Sequence, residues 1–267
     1  MAKLRGNLQF IGSLGNVSAY TRRGSDEVIL RTKGGASKEK IKTSASFALT
    51  RELNKEWGGC SKAGAVVRMA IYPLRHMADY NISGPLNAIA KIVQKLDTAH
   101  PVGRRAICFS KHKQVLDGFN LNKQNTLDSV VRSPLNFIFD RTSGKATIDL
   151  PALNPKINFS NKYQRPLFRF VTVLGMISDM EYSDEYLMYR PLHAEIHGHS
   201  IIVTSEWYPA LLPFDGLSLE LSLQGAPTLN DTDTLILAAG IEFGNPLTNS
   251  IVEPIKYSGS AKILATF

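Results

Sequence analysis

The residues whose types and spacing best fit chemistry are His193, Glu195, His197 and His199, in the run His193-Ala194-Glu195-Ile196-His197-Gly198-His199. On one continuous strand, residues two apart point to the same side. Imidazole and carboxylate donors sharing a strand face can hold a divalent metal such as zinc. The same alternation also describes a polar, solvent-facing strand side backed by Ala194 and Ile196. Gly198 offers a turn that would break the shared face, and no second segment supplies further ligands by its spacing. The expectation is a polar strand, with metal binding as the sharper alternative.

Other catalytic patterns are missing from the sequence. There is no GxSxG elbow and no recognisable pairing of nucleophile and base. Gly12-Ser13-Leu14-Gly15 and Gly34-Gly35 lack the spacing of phosphate-binding loops and read as tight turns. Asp179, Glu181, Asp184 and Glu185 read as a solvated loop. The two cysteines, Cys60 and Cys108, are too few for a disulfide framework and sit beside apolar residues, as small core side chains do. The chain is therefore expected to be non-catalytic, with no cofactor.

Charge is the stronger signal. The formal net charge is +8, but residues 1–145 hold 24 Lys/Arg against 10 Asp/Glu, and residues 146–267 hold 7 against 13. Such an asymmetry acts on an anionic partner, or between copies, basic half to acidic half. The basic residues cluster at Arg22 and Arg23, Arg31 and Lys33, Lys38, Lys40 and Lys42, Arg104 and Arg105, and Lys111 and Lys113. These are the expected contacts to nucleic acid or to an acidic protein. No zinc finger, RNP aromatic motif or helix-turn-helix accompanies them.

Stepwise patterning organises the chain around these groups. Val17–Arg23 and Val28–Lys33 flank the turn composition Gly24-Ser25-Asp26-Glu27 and predict a hairpin. Val17, Tyr20, Val28 and Leu30 are its expected self-association positions. A basic connector leads to a helix through Phe47, Leu49, Leu53 and Trp57, ended by Gly58-Gly59. A second helix runs from Ser61 through Ala65, Val66, Met69 and Ala70. A third, opened by Ser83-Gly84-Pro85, carries Leu86, Ile89, Ile92, Val93 and Leu96 at helical spacing. Later segments alternate as short strands: 130–132, 135–139, 146–150, 168–174, 192–197, 200–204, 217–223, 234–243 and 261–267. The fold class predicted is α+β, with a basic hairpin-and-helix region over 1–125 and an Ig-like antiparallel β-sandwich over 126–267.

Gly12-Ser13-Leu14-Gly15-Asn16-Val17-Ser18-Ala19-Tyr20, then Arg23-Gly24, then Val28-Ile29-Leu30-Arg31-Thr32-Lys33, resembles the N-terminal motif of a family of uncharacterised Bacteroidota proteins. Thr43–Arg51, a small-polar entry into an arginine-bearing helix, resembles it too. The resemblance covers roughly residues 6–57. It implies helices followed by a β-rich C-terminal region and a bacterial origin. It implies no activity, cofactor or catalytic residue.

The functional expectation is a structural protein that self-associates, by strand addition from the N-terminal hairpin or by basic–acidic contacts, into an oligomer or filament. The alternatives are a nucleic-acid-associated protein and a carbohydrate- or protein-binding sandwich module. No stretch reaches the length of a membrane span. Met1-Ala2-Lys3-Leu4-Arg5 is not followed by a signal-peptide core, so cytoplasmic synthesis is expected, with later release left open.

Overall fold

The segments Val17–Thr21 and Val28–Thr32, rich in β-branched and aromatic residues, pair as an antiparallel hairpin. The computed structural model describes residues 2–4, 10–22, 25–141, 143–223, 228–248 and 251–267. Four strands, β1 (Ala2–Leu4), β2 (Gly12–Leu14), β3 (Val17–Thr21) and β4 (Val28–Thr32), form an antiparallel sheet in the order β1-β4-β3-β2. The predicted hairpin is β3–β4, in a register that sets Val17 opposite Thr32 and Tyr20 opposite Ile29. Arg23 and Gly24, placed by the sequence between these strands, lie outside the described residues.

Helix α1 (Lys38–Thr43) follows, its N-cap supplied by Ser37, whose hydroxyl accepts from the Lys40 amide at 3.1 Å. Then come α2 (Ala48–Ala70), α3 (Ser83–Leu96) and the single turn α4 (Leu127–Val130). The chain divides into two compact units, Met1–Arg51 and Glu52–Phe267. The sequence pattern places a boundary near residue 125 instead, because composition shows a linker but not which sheet the helices cover.

Helix α2 runs straight through Gly58-Gly59, where a helix end is expected from sequence. These glycines do not cap anything. A Cβ on Gly59 would sit 2.6 Å from ring carbons of Tyr189, and one on Gly64 would sit 3.1 Å from the Asn87 amide. The small residues exist so that other elements can approach the helix closely. The buried stripe is Glu56, Gly59, Cys60, Ala63, Gly64, Val67 and Ala70, whereas Trp57 and Met69 are about half exposed. In α3 the inward positions are Leu86, Ala90, Val93 and Gln94, and Ile92 and Leu96 face outward.

The second unit also contains β5 (Asn136–Asp140), β6 (Lys145–Leu150), β7 (Leu167–Ser178), β8 (Met180–Ser183), β9 (Met188–Pro191), β10 (Ser200–Thr204), β11 (Tyr208–Pro209), β12 (Leu217–Ser222), β13 (Asp233–Pro246), β14 (Val252–Pro254) and β15 (Ser260–Thr266). The pairing is antiparallel throughout. A six-stranded sheet is built around β7 and β13, flanked by β10, β11, β14 and β15, and a three-stranded sheet runs β12-β6-β5. Two expected strands take other forms. Val130 closes α4 and Val131 makes only an isolated antiparallel bridge to Phe159, while residues 194–198 form a turn.

Strands β7 and β13 are buried along nearly their whole length, which only a sheet covered on both faces allows. One face presents Phe168, Phe170, Leu174, Leu235, Leu237 and Phe243 to Ile148 and Leu221 of the small sheet. That packing is the β-sandwich. The other face presents Val171, Val173, Ile177, Ile236 and Ala238 to Val67, Ala70 and Leu86 of the helices. The larger sheet is thus the middle of three layers: helices, sheet, sheet.

Candidate functional site

Among the described residues, the N-terminal sheet ends at β2 with no further strand paired to it. Among the described residues β2 pairs only with β3, through Gly12–Ala19, Ser13–Ser18 and Leu14–Val17. Edge strands in monomeric proteins are blunted by charge, proline or a covering element. Ile11-Gly12-Ser13-Leu14 has neither charge nor proline, and Ile11 and Leu14 are 71% and 70% exposed. Of the expected self-association residues, Val17, Tyr20 and Leu30 are half-buried and Val28 is buried. All four lie on the inner strands β3 and β4. Among the described residues the unpaired edge lies one strand further out, at β2, and period-2 alternation does not say which strand stays unpaired.

The basic residues separate into two groups. Arg22, Arg31, Lys33, Lys38, Lys40 and Lys42 are exposed, and the Arg31 guanidinium lies 5.9 Å from the centre of the Tyr20 ring. Arg104 is exposed but paired with Asp184 at 2.5 Å. Arg105 is committed inside the fold. Its Nε and Nη2 donate to Glu56 at 2.7 and 2.6 Å. The adjacent pair Arg104-Arg105 therefore does not act as one surface cluster.

Glu56 is fully buried and accepts two further hydrogen bonds, from Lys91 Nζ at 2.7 Å and the Gly103 amide at 2.9 Å. Burial alone would raise its carboxyl, but these donors outweigh burial and bring it down to about 2. Beside it, Gln94 Nε2 donates to the Tyr189 hydroxyl, which donates to the Arg105 carbonyl, and the Cys60 thiol donates to Gln94 Oε1. The cluster ties the 103–105 loop and Tyr189 of β9 to α2 and α3. Its sequence signal is a glutamate in register with Cys60, Ala63 and Val67, a charge on a buried stripe.

The two thiols are poor nucleophiles. Burial pushes both Cys60 and Cys108 up to about 11, so almost no thiolate exists near neutral pH. Beside Cys108, burial raises the Asp179 carboxyl above the usual range, although it accepts from the Ser110 hydroxyl at 2.5 Å.

The four residues of the histidine run do not share a face. Residues 194–198 turn, with Gly198 at φ +87°, so the strand that the spacing presupposes ends at Pro191 in β9. His193 Nδ1 lies 2.9 Å from Asp233 Oδ2, and Glu195 is exposed. His197 Nδ1 accepts from the Ser178 amide at 3.2 Å, and His199 is exposed, its carbonyl accepting from the Met176 amide. Among the described residues no group of three or more His, Cys, Asp or Glu is arranged to hold a metal ion. The side chains of His193 and His197 instead fasten the turn to β7 and β13.

No family model, characterised protein or solved structure matches this chain. The reading of its function accordingly rests on its own residues. Among the described residues, no helix is long and apolar enough to cross a membrane.

The histidine turn gives the protein an acid-sensitive point. Burial lowers His197 to about 4 from an ordinary value of 6.5. The unfolded chain therefore binds a proton between these values that the folded chain refuses. The stability from neutral His197 is fully present above about pH 6.5 and falls as pH drops toward 4. Urea unfolding at pH 7 and pH 5 should show lower stability at pH 5. His197→Gln should shrink that difference, and an unchanged difference would remove His197 as its source.

Proposed function

We propose that this chain is a non-catalytic structural protein that self-associates, with the β2 edge of one copy adding to a sheet of another. The observation that carries the reading is the uncharged, proline-free edge flanked by exposed Ile11 and Leu14. Backbone hydrogen bonding along such an edge provides affinity, and the two apolar side chains provide buried area. A second observation supports it. In the N-terminal unit only Ala19, Val28 and Ile29 are buried among the described side chains, a small core for a four-stranded sheet. Covering this sheet with a second copy would supply what it lacks. The unit also carries ten Lys/Arg against three Asp/Glu, complementary to the acidic C-terminal half of a neighbour.

The test is sedimentation velocity on the full chain and on Ile11→Lys/Leu14→Lys, at about 50 and 500 mM salt. The Debye length falls from about 14 Å to about 4 Å across that range. The wild type should form concentration-dependent oligomers that weaken at high salt. The double variant should associate at least about tenfold more weakly, with unchanged stability, since both positions are exposed. A wild-type protein that stays monomeric at high concentration and low salt overturns the proposal.

A second reading draws on the exposed row Arg22, Arg31, Lys33, Lys38, Lys40 and Lys42. These residues would contact nucleic-acid phosphates, with affinity that drops steeply as salt rises. Failure of both duplex and single strands to bind at about 50 mM salt would end it.

A further inference from the structure

A cleft of about 400 Å³ in the second unit is lined by Tyr72, Pro73, Arg75, His76, Lys256 and Tyr257. Its chemistry is unbalanced. The carboxylate bound to His76 is Glu242, at 2.5 Å, and Glu242 is also paired with Arg169, whose guanidinium stacks 4.6 Å from the Trp207 ring centre. That carboxylate is buried and fully engaged. Burial would raise it, yet the His76 and Arg169 hydrogen bonds hold it below the usual carboxylate range. Arg75 and Lys256 are exposed, and among the described residues no carboxylate pairs with either. Arg68 lies near enough to Arg75 to feel its charge, though it does not line the cleft. Its Nη1 is buried without a hydrogen-bond partner, and burial and the neighbouring charge of Arg75 both lower it.

The walls are preformed. The Tyr257 amide donates to the His76 carbonyl at 3.3 Å, and the Ser258 hydroxyl donates to the Ile255 carbonyl at 2.7 Å. Gly259 fits so closely that a Cβ there would sit 2.5 Å from the Ile241 carbonyl. Tyr257 itself is held at φ +62°, a conformation rare for a non-glycine residue and costly unless its surroundings impose it. The result is a rigid turn that leaves a phenol ring 67% exposed, with Tyr72 62% exposed in the same cleft.

We propose that this cleft binds a nucleoside phosphate, the base stacking on a tyrosine and the phosphate pairing with Arg75 and Lys256. Stacking on an exposed aromatic is tolerant of base identity. A guanidinium offers a phosphate two parallel donors. The volume is at the low end for small-molecule sites, which fits one nucleotide rather than a strand. This site is independent of the β2 edge.

Isothermal titration at about 50 mM salt tests it, using AMP, adenosine and ribose 5-phosphate with the wild type, Arg75→Gln and Tyr257→Asn. Asparagine tolerates the positive φ, and both positions are exposed, so thermal melts of the variants should match the wild type. AMP should bind at least tenfold more tightly than adenosine or ribose 5-phosphate, and each variant should lose at least tenfold. No AMP binding at millimolar concentration would overturn the proposal. So would equal binding of AMP and ribose 5-phosphate, or AMP binding unaffected by both substitutions.

Discussion

Glu56→Ala should destabilise the protein by about 3–5 kcal/mol, the cost of stranding partners of a buried ion pair. The carboxylate is fully buried and receives Arg105, Lys91 and the Gly103 amide, and the side chains of Arg105 and Lys91 are only 17% and 20% exposed. Removing Glu56 leaves two cations and an amide short of an acceptor. The contrast is Arg104→Gln, which breaks a pair with Asp184 whose members are 51% and 65% exposed. Such a pair is screened by water and contributes about 0–1 kcal/mol. Chemical denaturation of both variants would separate the two cases, and equal losses would contradict the assigned roles. The sign with pH follows from the lowered Glu56 carboxyl. Its contribution is complete above about 4.5 and is lost as pH falls through about 2.

Gly175→Ala should cost about 3 kcal/mol, at the upper end of ordinary overpacking. Gly175 lies in β7, opposite Ile236 of β13, on the sheet face that carries the helices. An added Cβ would sit 2.5 Å from the Ala70 carbonyl oxygen and 2.9 Å from its carbon. These are backbone atoms at the end of α2, so no side-chain rotation relieves the clash, and the helix must lift from the sheet. Gly58→Ala is the control. Nothing lies within 4 Å of its added Cβ, and in an exposed helical position alanine should stabilise by about 0.5–1 kcal/mol. Opposite signs for the two substitutions would confirm that glycine serves close packing at 175. A Gly175→Ala protein as stable as the wild type would refute it.

These glycines show where sequence reading reaches its limit. The strands around 136–140, 145–150, 200–204 and 217–222 follow alternation and are found with errors of one or two residues. The edges of β7 and β13 are harder, because strands buried on both faces do not alternate. Gly58-Gly59 carries the composition of a helix end. Only the Tyr189 ring, 130 residues further along, reveals that Gly59 marks a close approach, while Gly58 faces open space. Similarly, His193–His199 has strand-like spacing, but the core position of Ile196 and the backbone bonds of Gly198 and His199 make it a turn.

The candidate sites divide along the same line. The basic residues of the N-terminal unit are legible as composition and are exposed. Arg105 has the same composition but sits across Glu56, a partner 49 residues away. Among the described residues, the unpaired edge at β2 follows from strand order, which local periodicity does not encode. Arg75 and Lys256 share a cleft although 181 residues separate them, so no window of sequence shows them together.

Amide hydrogen exchange measured across a range of protein concentrations tests the central claim most directly. Strand addition would place the Gly12–Leu14 backbone in new hydrogen bonds between copies. Protection there should rise with concentration, while β7 and β13, already paired on both sides, should stay constant. Protection at β2 that is low and independent of concentration, in a protein that remains monomeric, would contradict assembly through this edge.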